Sequence, residues 1–169
     1  RIAVFTMQRG EELENAQEFV RARDWYARAV RYCKLYDSDG FRAAVAATQR
    51  CGSLRRSSQI VLRLRRQLEA ASEDKRKRLL LVQELLFGMG DMPAAIEAAS
   101  KGGVGDPEWN AMLKLADKSP LVSTEQQMAL ANWLYQLAKT QACEHRRRRL
   151  GHLAREKYRL LERKRLPAS

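Results

Sequence analysis

The sequence predicts an all-α fold, because helical patterns recur along the chain and strand patterns are nearly missing from it. Apolar side chains return every three or four residues in most segments, which is the spacing of one helix face. Several of these segments begin with a capping residue and end near glycine or serine. Only residues 2–6 have β-strand character, and so short a segment cannot support a sheet. The 169 residues, 45% of them hydrophobic, are enough for a folded domain with a buried core.

Four helices are predicted in the first 70 residues. Acidic residues open the first of them, where the helix dipole favours negative charge. The cluster Asp37-Ser38-Asp39-Gly40 predicts a turn. Cys51-Gly52-Ser53 predicts a helix end, followed by a new helix whose arginines face away from its apolar side. The predicted spans are 11–20, 24–35, 41–49 and 54–70.

The middle of the chain contains clear helix starts and stops. The apolar run of residues 79–87 is broken at residues 88–90 (Gly-Met-Gly), after which Asp91 is placed to cap the next helix. Residues 106–108 (Asp-Pro-Glu) combine a capping residue, a proline at the first helical position and an acid, so they predict another start. Ser119-Pro120 predicts the end of that helix.

The last predicted helix is the longest. Ser123 and Gln126 form a capping-box pattern, and helical spacing continues to about residue 166, a length of about 60 Å at 1.5 Å per residue. Its first half carries a leucine stripe for packing, whereas cations surround its second half almost completely. We therefore expect a helical body over residues 1–122 and a C-terminal helix over residues 123–169 that is basic and extended from about residue 139.

The positive charge is concentrated in two segments. The chain has 32 Lys+Arg and 20 Asp+Glu, a formal net charge of +12. Residues 54–78 carry a net +6 and residues 139–169 a net +8, so the remainder is close to neutral. Arginine supplies 23 of the cations, and its planar guanidinium binds phosphate or carboxylate through two hydrogen bonds. This distribution predicts a polyanionic partner.

RNA is the polyanion that the pattern favours. A cationic helix can follow the phosphates of A-form RNA without reading bases, and no DNA-binding motif accompanies the charge. Neutralising phosphates also relieves the mutual repulsion of the arginines and releases counterions. A membrane surface is disfavoured, because the basic segment lacks a broad apolar face. The candidate RNA-binding residues are Arg55, Arg56, Arg63, Arg66, Lys75, Arg76, Lys77, Arg78, Arg146, Arg147, Arg148, Arg149, Arg155, Lys157, Arg159, Arg163, Lys164 and Arg165.

Two stretches resemble the αα-hairpin repeats of pentatricopeptide and tetratricopeptide proteins. Residues 32–44 (YCKLYDSDGFRAA) resemble a hairpin turn and the start of a second repeat helix. Residues 90–99 (GDMPAAIEAA) and 102–113 resemble a second helix, an inter-repeat loop and the first helix of the next unit. The resemblance covers about half the chain. It implies an irregular TPR/PPR-like array, because Ala44 and Ala95 are 51 residues apart, which does not fit a repeat of about 34 residues.

No catalytic constellation is present, so we expect no enzyme activity and no cofactor. Cys33, Cys51 and Cys143 are isolated and lack metal-ligand spacing, so we expect thiols rather than disulfides or a metal site. The tryptophans and most tyrosines lie within predicted helices, where core packing is favoured over base stacking. The pentatricopeptide resemblance implies a base-reading place for Asn110. Without a regular array, we expect Asn110 to be a surface residue.

These observations predict a non-catalytic structural component of a large ribonucleoprotein, with a mitochondrial ribosome or its assembly intermediate as the preferred particle. Mitochondrial rather than cytoplasmic location is suggested by the repeat resemblance, the arginine content and a start at Arg1, which we expect to reflect processing or trimming. The body would bind neighbouring proteins.

The alternative prediction is a tetratricopeptide-type scaffold subunit of a ciliary-transport or trafficking assembly, whose arginines meet acidic protein surfaces. A peripheral subunit of a respiratory complex is a third possibility. The charge distribution of residues 146–165 separates the first two. Embedding in RNA tolerates charge on all sides of a helix, whereas a scaffold needs one charged face.

Overall fold

The computed structural model describes residues 2–33, 37–117 and 123–165, without the side chains of residues 160 and 162–165. In this part of the chain it contains eight α-helices, one π-helical segment and no β-strand, which confirms the all-α class. The helices are α1 (Ile2–Asn15), α2 (Phe19–Cys33), α3 (Ser38–Ala70), α4 (Lys75–Gln83), α5 (Met92–Ser100), α6 (Pro107–Asp117), α7 (Thr124–Thr140) and α8 (Glu144–Arg165), and the π-helical segment is Glu84–Met89.

The chain divides into two compact units, after residue 59 rather than at the expected boundary after residue 122. The N-terminal unit consists of α1, α2 and the first part of α3. Helices α1 and α2 pack as a hairpin, and Gly10 lets them approach closely, because a Cβ there would lie 2.6 Å from the ring of Tyr26. The connected core of this unit consists of Leu13, Ala22, Tyr26, Ala47 and Cys51.

The helix boundaries of the N-terminal unit differ from the prediction in two places. The chain turns at residues 16–18, within the helix predicted for residues 11–20, because Gln17 adopts a left-handed backbone (φ 61°). The predicted helix end at residues 51–53 is wrong, since α3 continues through Gly52. Cys51 and Leu54 on either side of this glycine are buried, so packing overrides the weak helix propensity of glycine.

The C-terminal unit is built around a larger apolar core. It contains the end of α3, the helices α4 to α8 and the π-helical segment. Its centre includes a cluster of three aromatic rings. The ring centroid of Trp109 lies 5.7 Å from that of Phe87 and 5.0 Å from that of Trp133, which it meets edge-on. Both tryptophans are buried, which confirms that they serve core packing.

The predicted starts of α5, α6 and α7 are confirmed. The Asp91 carboxylate accepts a hydrogen bond from the Ala94 N–H at 3.0 Å, and Asp106 caps α6 in the same way. Ser123 and Gln126 form the reciprocal capping box. These caps were predictable because each depends on residues three positions apart.

The ends of the helices were harder to predict. The break expected at residues 88–90 occurs at Gly90. This residue has a left-handed backbone (φ 72°) and follows the last residue of the π-helical segment. The π-helical hydrogen bonding before it was not predicted. The stop expected at residues 119 and 120 lies outside the described residues.

The single long C-terminal helix of the sequence prediction is wrong. Helix α7 ends at Thr140, the backbone of Gln141 is extended (φ −78°, ψ 120°), and α8 begins at Glu144. Helix α8 then packs against α7, and the Tyr158 hydroxyl donates a hydrogen bond to the Asn132 side chain at 2.6 Å. Helix α8 is therefore part of the folded unit rather than an extension from it.

Candidate nucleic-acid interface

Arg78 is buried, which corrects its place among the phosphate-binding candidates. Its side chain is only 5% exposed, and its guanidinium donates hydrogen bonds to the carbonyls of Ser72 and Gly103, the latter at 3.1 Å. Gly102 makes this approach possible, because a Cβ there would lie 2.5 Å from Arg78 Nη1. Arg78 therefore holds the loop before α6 against α4.

Arg146 and Arg149 also hold the fold together, which is a second correction. Arg146 Nη2 donates to both carboxylate oxygens of Glu84, at 2.7 and 3.0 Å, and the Glu84 side chain is only 8% exposed. Arg149 donates to the carbonyl of Gly88. Both contacts join α8 to the π-helical segment, so a buried carboxylate neutralises one of the cations that the sequence assigned to RNA.

Three further candidates are exposed or half-buried but take part in local ion pairs. Arg148 Nε lies 2.8 Å from Glu144 Oε1, and Arg147 shares the same carboxylate at 3.4 Å. Lys77 lies 2.9 Å from Asp74, and its backbone and side-chain hydrogen bonds hold the pKa of Asp74 below its ordinary value. Solvent-exposed pairs of this kind are weak, so Arg147 and Arg148 can exchange Glu144 for a phosphate.

Eight candidates are exposed and form no ion pair with another residue in the described ranges. They are Arg55, Arg56, Arg63, Arg66, Lys75, Arg76, Arg155 and Arg159. Lys157 is half-buried. The side chains of Arg163, Lys164 and Arg165 lie outside the described residues.

The cations of α8 differ in their surroundings, because one side of this helix is buried. Leu150, Ala154 and Leu161 are buried and form one side of α8. Arg148, Arg155 and Arg159 follow one another at spacings of seven and four residues, so they share the opposite, exposed side over about 16 Å. These three cations form one exposed row along the helix.

Sequence reasoning missed Arg23. It lies on α2, yet it lines the same groove as Arg55 and Arg56 of α3. The sequence gives no signal for this proximity, because 32 and 33 residues separate Arg23 from Arg55 and Arg56 and no local spacing links them. Arg65, which lies between two candidates, is also exposed.

A polar network lies beside the core of the N-terminal unit. Arg50 donates two hydrogen bonds of 2.7 Å to the carboxylate of Glu14, which also accepts one of 2.9 Å from the Tyr26 hydroxyl. Burial alone would raise the pKa of Glu14, but hydrogen bonding and charge from Arg50 outweigh it and lower that pKa. Burial and the nearby Glu14 charge raise the pKa of Cys51 to about 11. This network stabilises the unit rather than offering a reactive group.

Other sequence candidates have structural contacts. Asn110 is half-buried and accepts a hydrogen bond from the Val104 N–H at 3.0 Å, so it fixes the preceding loop instead of lying free on the surface. Cys33 and Cys51 are buried free thiols, and Cys143 is exposed. Among the described residues, no three His, Cys, Asp or Glu side chains are grouped closely enough to hold a metal ion.

The geometry defines the chain as an all-α protein with arginine-bearing helix faces in each of its units. No protein-family model, curated protein or solved structure matches it. Within the described ranges, no helix combines the length and the apolar character needed to cross a bilayer.

Proposed function

We propose that this protein is a non-catalytic structural component of a large ribonucleoprotein, with a mitochondrial ribosome or its assembly intermediate as the preferred particle. Its exposed arginines bind RNA phosphates, and its helical body binds neighbouring proteins. Mitochondrial location is part of the same proposal.

The observation that carries the proposal is the set of exposed cations with no ion pair among the described residues. Arg50 and Arg146 are paired with carboxylates inside the fold, whereas the exposed arginines remain available to an external anion. A guanidinium group can donate two hydrogen bonds to one phosphate. Its binding to RNA also releases the counterions that surround the phosphates. Binding of this kind depends on charge and shape rather than on base sequence.

Helix α8 supplies the best-defined docking surface. Its buried side fixes it to α7, so the exposed side is presented on a rigid support. Arg148, Arg155 and Arg159 then lie in a row that can follow the phosphates along one edge of an RNA helix. Because they need no rearrangement of the fold, little conformational entropy is lost when they bind.

The exposed row on α8 also favours a second candidate function. In a scaffold subunit of a ciliary-transport or trafficking assembly, Arg148, Arg155 and Arg159 would meet an acidic protein surface. RNA remains the first candidate because exposed cations with no ion pair to another described residue occur in both units.

The test compares RNA binding by two matched variants of the full chain at 50 to 200 mM salt. The first carries Arg155→Gln and Arg159→Gln, the two cations of the α8 row that form no ion pair with another described residue. The control carries Arg9→Gln and Arg21→Gln, which removes the same charge from exposed arginines that pair with local acids. We expect the first to lower the slope of log affinity against log salt by about two, roughly one per cation, and the control to lower it by less than one.

Two results would contradict the proposal. RNA affinity that does not change with salt excludes phosphate docking. Tighter binding of polyglutamate than of RNA of equal length at equal salt supports the scaffold function instead. Deleting residues 139–169 is not a suitable test, because it removes Leu150 and Ala154 from the core.

A further inference from the structure

The N-terminal unit has a groove of about 700 Å³ whose lining is cationic and polar. It lies along the side of α3, from Gln49 to Gln59, and Arg23 of α2 also lines it. Three arginines line it, Arg23, Arg55 and Arg56, and no acidic residue does. A concave site with several hydrogen-bond donors and no anion is complementary to a bound anion.

The local contacts of these arginines are too weak to prevent them from binding an anion. Arg23 lies 3.5 Å from the carboxylate of the adjacent Asp24, and both side chains are exposed, so the pair is weak. Arg56 donates a hydrogen bond of 3.5 Å to the Ser53 hydroxyl, which also lines the groove. Arg55 has no ion pair with another described residue.

Gly52 keeps part of this groove open. It lies inside α3 and lines the groove, although glycine in a helix interior costs about 1 kcal/mol relative to alanine. Its backbone is helical, and a Cβ at this position would have no atom within 4 Å. Neither backbone geometry nor packing therefore requires glycine here. Its missing side chain leaves the helix surface open within the groove.

We propose that this groove binds the sugar-phosphate backbone of single-stranded RNA. The proposal rests on the function proposed above and names a specific contact for it. The three arginines bind consecutive phosphates through their guanidinium forks. Gln49 and Gln59 each offer a donor and an acceptor, the combination that a ribose 2′-hydroxyl requires. The volume lies in the range of sites that hold a small ligand, so it accommodates one or two nucleotides.

The experiment measures binding of a labelled ten-nucleotide oligouridylate to the full chain by fluorescence anisotropy. Gly52→Leu fills the groove without changing charge, and Gly151→Leu is its control, because Gly151 also lies within a helix with open space around its Cβ. We expect Gly52→Leu to weaken binding about tenfold, the loss typical of one specific contact, and Gly151→Leu to weaken it less than twofold.

Charge variants supply an independent comparison. Removing all three groove arginines (Arg23→Gln, Arg55→Gln and Arg56→Gln) is expected to weaken binding by more than Gly52→Leu does. Arg31→Gln removes an exposed arginine of the same unit that does not line the groove, so it should have little effect. Circular dichroism of each variant checks that the helices are intact.

Each other outcome has a distinct meaning. If the groove variants bind like their controls while the α8 variant loses affinity, the groove proposal is overturned and the proposed function stands. If the native chain shows no salt-dependent RNA binding, both fail together. Displacement of the RNA by an equal concentration of inorganic pyrophosphate would assign the groove to a free phosphate ligand, and binding of polyglutamate that Gly52→Leu abolishes would assign it to an acidic protein.

Discussion

The two units are stabilised in different proportions by apolar packing and by polar contacts. The N-terminal core consists largely of small side chains around one tyrosine, and the Glu14–Arg50 pair lies beside it. The C-terminal core contains two tryptophans, a phenylalanine and several leucines, and its Glu84–Arg146 pair lies deeper. Each unit thus contains a Glu–Arg pair between distant residues, and the larger unit desolvates its pair more.

This comparison separates two roles of arginine that the sequence does not distinguish. Arg50, Arg78 and Arg146 have carboxylate or carbonyl partners supplied by distant parts of the chain. The exposed arginines have no such partner among the described residues. The unfolding of the two units can be followed separately by tryptophan fluorescence. Trp25 lies in the first unit, and Trp109 and Trp133 lie in the second.

The largest expected effect is that of Arg146→Ala. It leaves Glu84, with an 8% exposed side chain, as an unpaired buried charge, which should lower the free energy of unfolding by about 3 to 5 kcal/mol. Urea unfolding followed by Trp109 and Trp133 fluorescence, in a Trp25→Phe background, measures the loss. Arg148→Ala is the control, since Arg148 is 79% exposed and should change stability by less than about 1 kcal/mol. Equal losses in the two variants would mean that Glu84 is solvated.

Leu150→Ala tests the packing of α8 on the rest of its unit. Leu150 is fully buried, so its truncation should cost about 3 kcal/mol, measured by the same unfolding experiment. Leu62→Ala is the control, because Leu62 is 53% exposed and its truncation should cost about 0.5 kcal/mol or less. A similarly small loss of unfolding free energy at both positions would favour the extended C-terminal helix that the sequence predicted.

A smaller loss is expected for Arg50→Ala in the N-terminal unit. Glu14 would lose its charged partner but keep the Tyr26 hydrogen bond, and Arg50 is already 40% exposed, so we expect a loss of about 2 kcal/mol. Trp25 fluorescence during urea unfolding, with Trp109 and Trp133 replaced by phenylalanine, gives the measurement. Arg42→Ala, which breaks an exposed pair with Asp39, should change stability by less than about 1 kcal/mol. A larger effect at Arg42 than at Arg50 would contradict the network.

The smallest expected effect is the pH dependence of the N-terminal unit. The pKa of Glu14 is lowered by folding, so its contribution is complete above an unfolded pKa of 4.5 and is lost as the pH falls below that value. The pKa of Cys51 is raised from 9.0 to about 11, so its contribution is complete below pH 9.0 and is lost as the pH rises towards 11.

Two substitutions separate these effects. In urea unfolding followed by Trp25, Glu14→Gln should flatten the acid side of the stability profile, and Cys51→Ala should flatten the alkaline side. A profile that keeps both slopes in both variants would show that other groups cause them.

Local sequence patterns predicted the all-α class and the starts of three helices, because a cap depends on residues within one turn of each other. They failed at the turn around Gln17 and at Gly52, where packing of distant helices outweighs local propensity. The sequence also predicted only part of the candidate interface. The charge of α8 and of residues 54–78 was evident, but the partners of Arg78 and Arg146 come from residues 25 and 62 positions away.

The sequence by itself determined that this protein is helical, where several helices begin and which segments carry the excess positive charge. Those properties depend on side chains a few positions apart. Only the tertiary structure decided that α8 folds back, which arginines are buried and that Arg23 joins Arg55 and Arg56. Burial and ion pairing depend on which distant residues meet, and the spacing of residues along one helix does not contain that information.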